Sequence, residues 1–234
     1  MMQFPLTVTP LLERAGKLFS TVEIVSSRPD NSIHRYTYRE MHRRARALAA
    51  ALQALGLHRG DRVATLMWNH HVHLEAYFGV PSVGGVLHTL NLRLHPDELA
   101  HIINDAEDRW LIVDDVLLPL YEKVRDKVCL QRVFVVPFSG HHVSHGYENY
   151  ESLLNSSSGD PTYPELDEHD AAAMCSPRVL QESQKASPIP TAHWHFTPTP
   201  FRCPITFRFR AAIACCRLCP CFTPTPGDYR TQGS

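Results

Sequence analysis

The sequence predicts an α/β fold with a mostly parallel sheet, and three observations support this. Short apolar runs suited to buried strands recur in the first 175 residues, segments of helical periodicity follow them, and turn-forming residues separate the two. Strands that alternate with helices usually pair in parallel, because each helix carries the chain back across the sheet. We therefore expect a sheet with helices packed on it.

The chain opens with the pattern of a short amphipathic helix and then of a hairpin. The helix residues are Leu11, Leu12, Ala15, Leu18 and Phe19, which recur at steps of three and four. Two alternating segments, 21–27 and 33–37, flank the turn-forming sequence Arg28-Pro29-Asp30-Asn31. One helix and one β-hairpin are therefore predicted before residue 38.

The strongest helix signal follows. Thr37 and Glu40 have the spacing of a capping box, in which the two side chains satisfy free backbone N–H groups at the helix start. The apolar stripe is Met41, Ala45, Leu48, Leu52 and Leu55, and Gly56 ends it. The helix also carries Arg39, Arg43, Arg44 and Arg46. We predict that these arginines form a solvated helix surface rather than an anion site.

Strands and helices then alternate. Strands are predicted near 62–68, 86–90, 110–113 and 132–136, with a further buried strand at 171–175. Asn69 is the predicted cap of a helix containing Val72, Leu74, Ala76, Tyr77 and Phe78, and 79–85 is its broken end. Pro96 begins another helix, whose buried stripe is Leu99, Ile102, Ile103 and Ala106. Residues 117–128 are a predicted helix, 139–146 a loop, 150–154 a helical turn and 156–164 a polar linker.

The composition changes abruptly after Cys175. Residues 176–234 hold nine of the eighteen prolines, five of the seven cysteines and two of the twenty-four acidic residues. Prolines interrupt both helices and sheets, so we expect little regular structure there. The sequence thus divides into a folded lobe, 1–175, and a Pro/Cys-rich segment, 176–234, which we call the tail.

Charge and cysteine content restrict the function classes. The lobe has sixteen Lys/Arg against twenty-two Asp/Glu and the tail has seven against two, so neither part indicates a nucleic-acid partner. Only Cys129 and Cys175 lie in the lobe, which fits a reducing compartment. No apolar run reaches the roughly 18 residues of a membrane span, and Glu13 and Arg14 interrupt a possible signal sequence. We expect a cytoplasmic protein, or one peripheral to a membrane.

Several strings occur in an order that resembles the N-terminal lobe of the AMP-forming acyl-CoA synthetases, the adenylate-forming ligases that activate fatty acids. They are Trp68-Asn69 with His73-Leu74-Glu75, then His88-Thr89-Leu90-Asn91-Leu92-Arg93-Leu94, then Ile103-Asn104-Asp105-Ala106-Glu107-Asp108 and Asp114-Asp115. The resemblance covers about residues 8–175 and is closest to the medium- and long-chain branch. It departs from that family at Leu92, where proline is more usual.

The resemblance implies a function for a longer parent enzyme. That enzyme would use ATP and Mg²⁺ to activate a fatty acid and would transfer the acyl group to coenzyme A. The resemblance leaves open a homodimer or an association with full-length relatives. In the family, a stretch like 167–175 leads into a Ser/Thr/Gly-rich phosphate loop ending in Pro-Lys-Gly, whose backbone N–H groups and lysine bind phosphates. That loop is missing here. We therefore assign no catalytic, cofactor-binding or metal residue to this chain and expect it to be inactive.

One lost nucleotide after the Cys175 codon would account for the tail. Each codon of the intended frame then ends in the first two bases of a residue found here, which restricts what it can encode. Residues 176–193 permit Thr-Ser-Gly-Thr-Thr-Gly after a restored Tyr, then Ile or Val and Pro-Lys-Gly-Val-Ala-Tyr-Ser-His-Arg-Ala. Residues 219–228 permit Val-Pro-Met-Phe-His-Ala-Asn-Ala-Trp-Gly. Both resemble signature stretches of fatty acyl-CoA synthetases, although an unspliced intron or an upstream assembly error would leave a similar pattern.

Other interpretations compete with this one. The segment Cys215-Cys216-Arg217-Leu218-Cys219-Pro220-Cys221, with His193 and His195, is a weak zinc motif, and Pro198-Thr199-Pro200 and Pro224-Thr225-Pro226 are weak ligands for a proline-binding module. A metal cluster of His70, His71 and His73 is less expected than a helix-start surface with one packed histidine. Asn91 and Arg93 follow a strand, and either a hydrogen-bonded loop or a position near substrate fits them. A non-catalytic lobe that docks on a full-length relative is the alternative function.

Overall fold

The computed structural model describes residues 5–140, 146–156, 159–175 and 187–190. Its α-helices are α1 (Val8–Leu18), α2 (Tyr38–Ala54), α3 (His71–Ser82), α4 (Pro96–Asp105), α5 (Leu118–Glu122) and α6 (Tyr150–Ser156). Its strands are β1 (Glu23–Ser27), β2 (Ile33–Thr37), β3 (Arg62–Leu66), β4 (Val86–Thr89), β5 (Trp110–Asp114), β6 (Arg132–Val136), β7 (Glu148–Asn149), β8 (Ala171–Cys175) and β9 (Ser187–Pro190).

The main sheet confirms the predicted α/β class. Its strand order is β7-β6-β5-β3-β4-β8-β9, and the pairs from β7 to β8 are all parallel. Strands β1 and β2 form the separate antiparallel hairpin expected around Arg28-Pro29-Asp30-Asn31, and Asn31 takes up the left-handed backbone at φ 63° in its turn. Strand β7 is two residues long and was not predicted.

Both faces of the sheet are buried, because successive side chains along each strand point to opposite faces and both sets are apolar. On β5, Trp110 and Ile112 join a core with α2, α3 and α6, whereas Leu111 and Val113 join a core with α4 and α5. We call these the α2–α3–α6 face and the α4–α5 face. Near-continuous apolar strands are typical of parallel sheets covered on both sides.

Helix α2 begins as the sequence predicts. The Thr37 side chain accepts a hydrogen bond from the Glu40 N–H, and the Thr37 N–H donates to Glu40 Oε2 at 2.8 Å. Met41, Ala45, Leu48 and Leu52 are at most 2% exposed, so the predicted stripe is the buried side of the helix. Arg44 and Arg46, in contrast, are only 17% and 22% exposed and form ion pairs, so the prediction of a solvated arginine surface is wrong for these two.

Helix α3 departs from its prediction at both ends. His70, not Asn69, is the N-cap, and its ring accepts a hydrogen bond from the Val72 N–H. The helix continues through Gly79 and Pro81 instead of breaking at 79. A Cβ on Gly79 would lie 2.9 Å from the Ala45 carbonyl oxygen, so the missing side chain lets α3 pack closely on α2.

Two later segments also differ from their predictions. Residues 117–128 form a short α5 flanked by 3-10 turns at Asp115–Leu117 and Arg125–Lys127, not one continuous helix. The described part of the polar linker is docked on α2, because the Gln53 side chain exchanges two hydrogen bonds with the backbone of Thr162. The start of α4 is as predicted, with Pro96 in the first turn and Leu99, Ile102, Ile103 and Ala106 buried.

Four residues of the tail form a strand. β9 pairs antiparallel with β8 at the edge of the sheet, where strand prolines are tolerated. The proline content of the tail did not predict this strand, and the remaining tail residues lie outside the described part. In the described part of the chain, no helix has both the length and the apolar character needed to cross a bilayer.

Candidate functional site

The carboxyl ends of β3, β4, β5, β6 and β8 meet at one edge of the sheet, because these strands are parallel. Ligands of open α/β sheets bind beyond this edge, where the connections from neighbouring strands leave toward opposite faces. Here the connection after β3 enters α3 on one face, while the connection between β4 and β5 contains α4 on the other. The carboxyl edge around β3 is therefore the candidate site.

Asp114 connects the end of β5 to the loop that follows β3. It ends β5, is fully buried, and accepts hydrogen bonds from the Trp68 N–H at 2.7 Å and from His70 Nε2 at 2.9 Å. Because His70 Nδ1 accepts from the Val72 N–H, the ring proton is on Nε2 and points at Asp114. Burial raises the pKa of the Asp114 carboxyl, and the His70 imidazole opposes that effect.

The loop after β6 is fastened to the same place. Phe138 stacks on the His70 ring with centroids 4.0 Å apart, and the Ser139 N–H and hydroxyl both donate to the Asp115 carboxylate. Both oxygens of Asp114 already accept hydrogen bonds within the chain. This cluster therefore braces the loops after β3, β5 and β6 and leaves no Asp114 oxygen directed at a substrate.

Strand β8 lies beside β4 at the carboxyl edge, with Cys175 opposite Thr89. Beyond β4, Asn91 Oδ1 accepts a hydrogen bond from the Arg93 N–H at 3.0 Å, which is the hydrogen-bonded loop that was one of the two interpretations of these residues. Arg93 is exposed. The structure thus brings the end of β8 next to this loop, and residues 176–186 lie outside the described part.

The three histidines at the start of α3 are not a surface. His70 and His73 are 1% and 2% exposed, and His71 packs against the hairpin, where its Nδ1 is 2.9 Å from Ser26 Oγ. The prediction of one packed histidine is therefore wrong, since the structure packs all three. Within the described residues, no group of three His, Cys, Asp or Glu side chains is arranged to hold a metal ion. The cysteine motif, its two histidines and both proline motifs lie outside the described residues.

Sequence reasoning missed a buried ionic cluster beside this site. Glu75 is 0% exposed, accepts a hydrogen bond from Arg44 Nε at 2.7 Å and another from the Tyr150 hydroxyl at 3.1 Å. Burial raises the pKa of Glu75. The sequence did contain a signal for this cluster: Glu75 is the one carboxylate in the otherwise apolar stretch from Leu74 to Val80. A charge in such a stretch needs a buried partner.

Comparison with known proteins assigns the lobe. Residues 13–175 match the AMP-binding enzyme family. The chain belongs to the AMP-binding enzyme family. The match ends at Cys175, where the composition changes.

Two similar proteins are acid–CoA ligases. The chain is 46% identical over 165 residues to a long-chain-fatty-acid–CoA ligase of Thermus thermophilus, an alignment that covers 70% of this chain and 30% of that protein. It is 36% identical over 179 residues to a 3-methylmercaptopropionyl-CoA ligase of Ruegeria lacuscaerulensis, with coverage of 75% and 33%. This member of the AMP-binding enzyme family therefore spans about a third of the length of these relatives.

A solved structure shows the same fold. The anthranilate CoA ligase AuaEII in complex with anthranoyl-AMP superposes with a TM-score of 0.72 at 21% identity, over 82% of this chain and 36% of that chain. At that identity the likeness establishes the fold of this AMP-binding family member and nothing finer.

Proposed function

We propose that the lobe is part of a fatty-acid–CoA ligase and that the present chain has no ligase activity. The observation that carries the proposal is the end of β8. This strand reaches the carboxyl edge at Cys175, and the family match and the acidic composition both stop at that residue. An adenylate-forming site needs phosphate-binding N–H groups at such a strand end.

The parent reaction would proceed in two displacements. A fatty-acid carboxylate oxygen attacks the α-phosphorus of ATP and pyrophosphate leaves; the thiol of coenzyme A then attacks the acyl carbonyl and AMP leaves. Mg²⁺ would offset the charge on the phosphates. Similarity to a long-chain-fatty-acid–CoA ligase supports this substrate class. We further propose that the parent acts in the cytoplasm or at a membrane surface.

The residues of this chain do not fit a nucleotide site. The carboxylates at the carboxyl edge, Asp114 and Asp115, are engaged by Trp68, His70 and Ser139. The sequence Ser176-Pro177-Arg178-Val179-Leu180-Gln181 after β8 contains no glycine, which phosphate loops need for close backbone approach.

Pyrophosphate release tests the inactivity. The purified chain, incubated with ATP, Mg²⁺, coenzyme A and fatty acids of several lengths, should release no more pyrophosphate than a heat-treated sample. Release above that control would show that the family's loop is not required here. The Thermus thermophilus relative, assayed in parallel, confirms that the assay detects the reaction.

Sequencing the genomic locus and its transcript across codon 175 tests the origin of the tail. We expect one additional nucleotide to restore a Tyr codon, the phosphate loop and the His-Ala-Asn-Ala-Trp-Gly stretch, followed by a long open frame. A stop within a few codons, or a shifted frame that encodes neither stretch, would refute the frameshift. The lobe's assignment to the family would stand in either case.

A further inference from the structure

The first 46 residues carry a positive charge that the rest of the lobe lacks. They contain eight Lys/Arg and four Asp/Glu, whereas residues 47–175 contain eight Lys/Arg and eighteen Asp/Glu. Four of the eight form ion pairs: Lys17 with Glu13, Arg35 with Glu23, and Arg44 and Arg46 with carboxylates of the lobe interior. Arg14, Arg39 and Arg43 form no ion pair with an acidic residue of the described part. A one-sided charge of this kind directs binding toward anionic partners.

Exposed apolar side chains concentrate in the same part of the chain. Five of the seven exposed large apolar residues among those described lie between residues 6 and 33. Leu11 and Leu18 are 39% and 66% exposed and stand seven residues apart on α1, so they share one side of the helix. Apolar groups left in water on a regular stripe indicate an interaction surface.

The basic and apolar groups are contiguous. The Arg14 guanidinium lies 5.6 Å from the centre of the Phe19 ring. Arg39 Nη2 lies 3.4 Å from the hydroxyl of Ser20, the residue that follows Phe19. Lys17 directly precedes Leu18, and its side chain is 70% exposed. We call this set of residues the α1 surface: Leu11, Arg14, Lys17, Leu18, Phe19 and Arg39.

Buried and ion-paired side chains attach the opposite side of α1 to the lobe. Leu12 is fully buried, and Glu13 contacts Lys17, His42 and Arg46 within 3.0 Å. Partial burial acts to raise the pKa of Glu13, but hydrogen bonds from these three partners outweigh it and lower the pKa to about 2. The one carboxylate on α1 is therefore already paired with Lys17 and Arg46, whereas Arg14 and Arg39 of the α1 surface have no acidic partner among the described residues.

We propose that the α1 surface binds the anionic face of a lipid bilayer. Leu11, Leu18 and Phe19 would insert at the level of the headgroups, and Arg14, Lys17 and Arg39 would contact anionic lipid. A second copy of the chain fits this surface less well, because a two-fold contact brings the same basic residues of both copies together. This inference does not depend on the ligase activity of the parent.

Sedimentation with lipid vesicles tests the proposal on the full 234-residue chain. We expect binding to vesicles that contain about 30 mol % phosphatidylglycerol, weaker binding at high salt, and little binding to pure phosphatidylcholine. The double variant Leu11→Ser/Leu18→Ser, and separately Arg14→Glu/Arg39→Glu, should each weaken binding about tenfold or more. The controls Val116→Ser and Lys123→Glu, exposed residues in the segment after β5, should bind like the parent chain, and circular dichroism should show all variants folded.

Three outcomes would overturn the proposal. The first is unchanged vesicle binding in both α1 variants, which would assign binding to the seven basic residues of the tail. The second is equal binding to neutral vesicles. The third is self-association without lipid, measured by sedimentation velocity and abolished by Leu11→Ser/Leu18→Ser, which would make a second copy the occupant.

Discussion

The two faces of the sheet are held by different chemistry. On the α2–α3–α6 face, Arg44 of α2 donates to Glu75 of α3 and, at 2.6 and 2.8 Å, to both carboxylate oxygens of Glu151 of α6. On the α4–α5 face the packing residues are mostly aliphatic, with Tyr121 and the partly buried Tyr147 among them, and His88 and Asp108 form a buried hydrogen bond at 2.8 Å.

This difference shows how each face defines its arrangement. A planar guanidinium that binds two carboxylates fixes the directions of its partners, so α2, α3 and α6 have one relative placement that satisfies Arg44. Aliphatic side chains have no such direction, so the α4–α5 face depends mainly on volume and shape. Substitutions on the α2–α3–α6 face should therefore lower stability when they change a charge, and those on the α4–α5 face when they change side-chain volume.

The largest expected effect is that of Arg44→Met. The change keeps most of the aliphatic volume but leaves the buried Glu75 without its cationic partner, so we expect a loss of about 3–5 kcal/mol in the free energy of unfolding. Urea denaturation measures it. The matched control is Arg43→Met, one residue away on the exposed side of α2, with an expected change below about 0.5 kcal/mol.

The double variant Arg44→Met/Glu75→Leu sharpens this test. Removing both charges leaves no unpaired buried ion, so much of the loss should be recovered. The comparison needs the single variants Arg44→Met and Glu75→Leu. If the double variant loses as much unfolding free energy as the two single variants together, the effect comes from packing around α2 and not from the charge pair.

On the other face, Leu99→Ala should cost about 2–4 kcal/mol, because Leu99 is fully buried in the core of α4 and deleting its methyl groups leaves a cavity. Leu99→Met, which nearly conserves volume, should cost less than about 1.5 kcal/mol. The same urea denaturation applies. Equal losses for the two variants would mean that the α4–α5 face does not depend on volume as the comparison requires.

Local patterns predicted the elements that depend on local chemistry. The capping box at Thr37, the hairpin turn at Asn31 and the alternation that produces the parallel sheet all follow from residues a few positions apart. The carboxyl edge was likewise predictable as the place where β8 ends, because strand direction follows from the β–α alternation.

The remaining features depend on partners distant in sequence. Arg44 was expected in solvent because its own helix gives no sign of Glu75, 31 residues later, or Glu151, 107 residues later. Gly79 looked like a helix end, and only the approach of Ala45 explains it within a helix. Asp114 and His70 likewise meet across two strands. Charge and glycine positions are ambiguous until the packing of the helices is known.

A third prediction uses the hairpin, which packs at the edge of the α2–α3–α6 face. The rings of His34 and His71 lie 4.1 Å apart, and Arg28 Nη2 contacts His34 Nδ1 at 2.9 Å. Burial, together with charge interactions with His34, His70, Arg44 and Arg28 that oppose protonation, lowers the pKa of His71 from 6.5 to about 2. His71 therefore stays neutral in the folded state throughout the mildly acidic range.

The sign of the pH effect follows from that difference. In the unfolded chain His71 takes up a proton below about pH 6.5, and in the folded chain it does not, so the stability it contributes is present above pH 6.5 and is lost as the pH falls. The loss should be about 1.4 kcal/mol per pH unit between pH 6 and pH 4.5. Glu13, whose pKa is also lowered to about 2, acts in the same direction but only below about pH 4.5, so the range from pH 6.5 to 4.5 reports His71 without Glu13.

Unfolding free energies measured in urea across this range, with His71→Asn as the comparison, test the prediction. Asparagine can also exchange a hydrogen bond with Ser26 but does not titrate, so the variant should be less stable at pH 7 and yet lose less stability on acidification. The slope that remains in the variant belongs to the other groups, including His34, whose pKa burial also lowers. Identical slopes in the two proteins would mean that His71 can be protonated in the folded state. The hairpin would then be held by contacts that tolerate the charge, and the α2–α3–α6 face would owe its specificity to Arg44 alone.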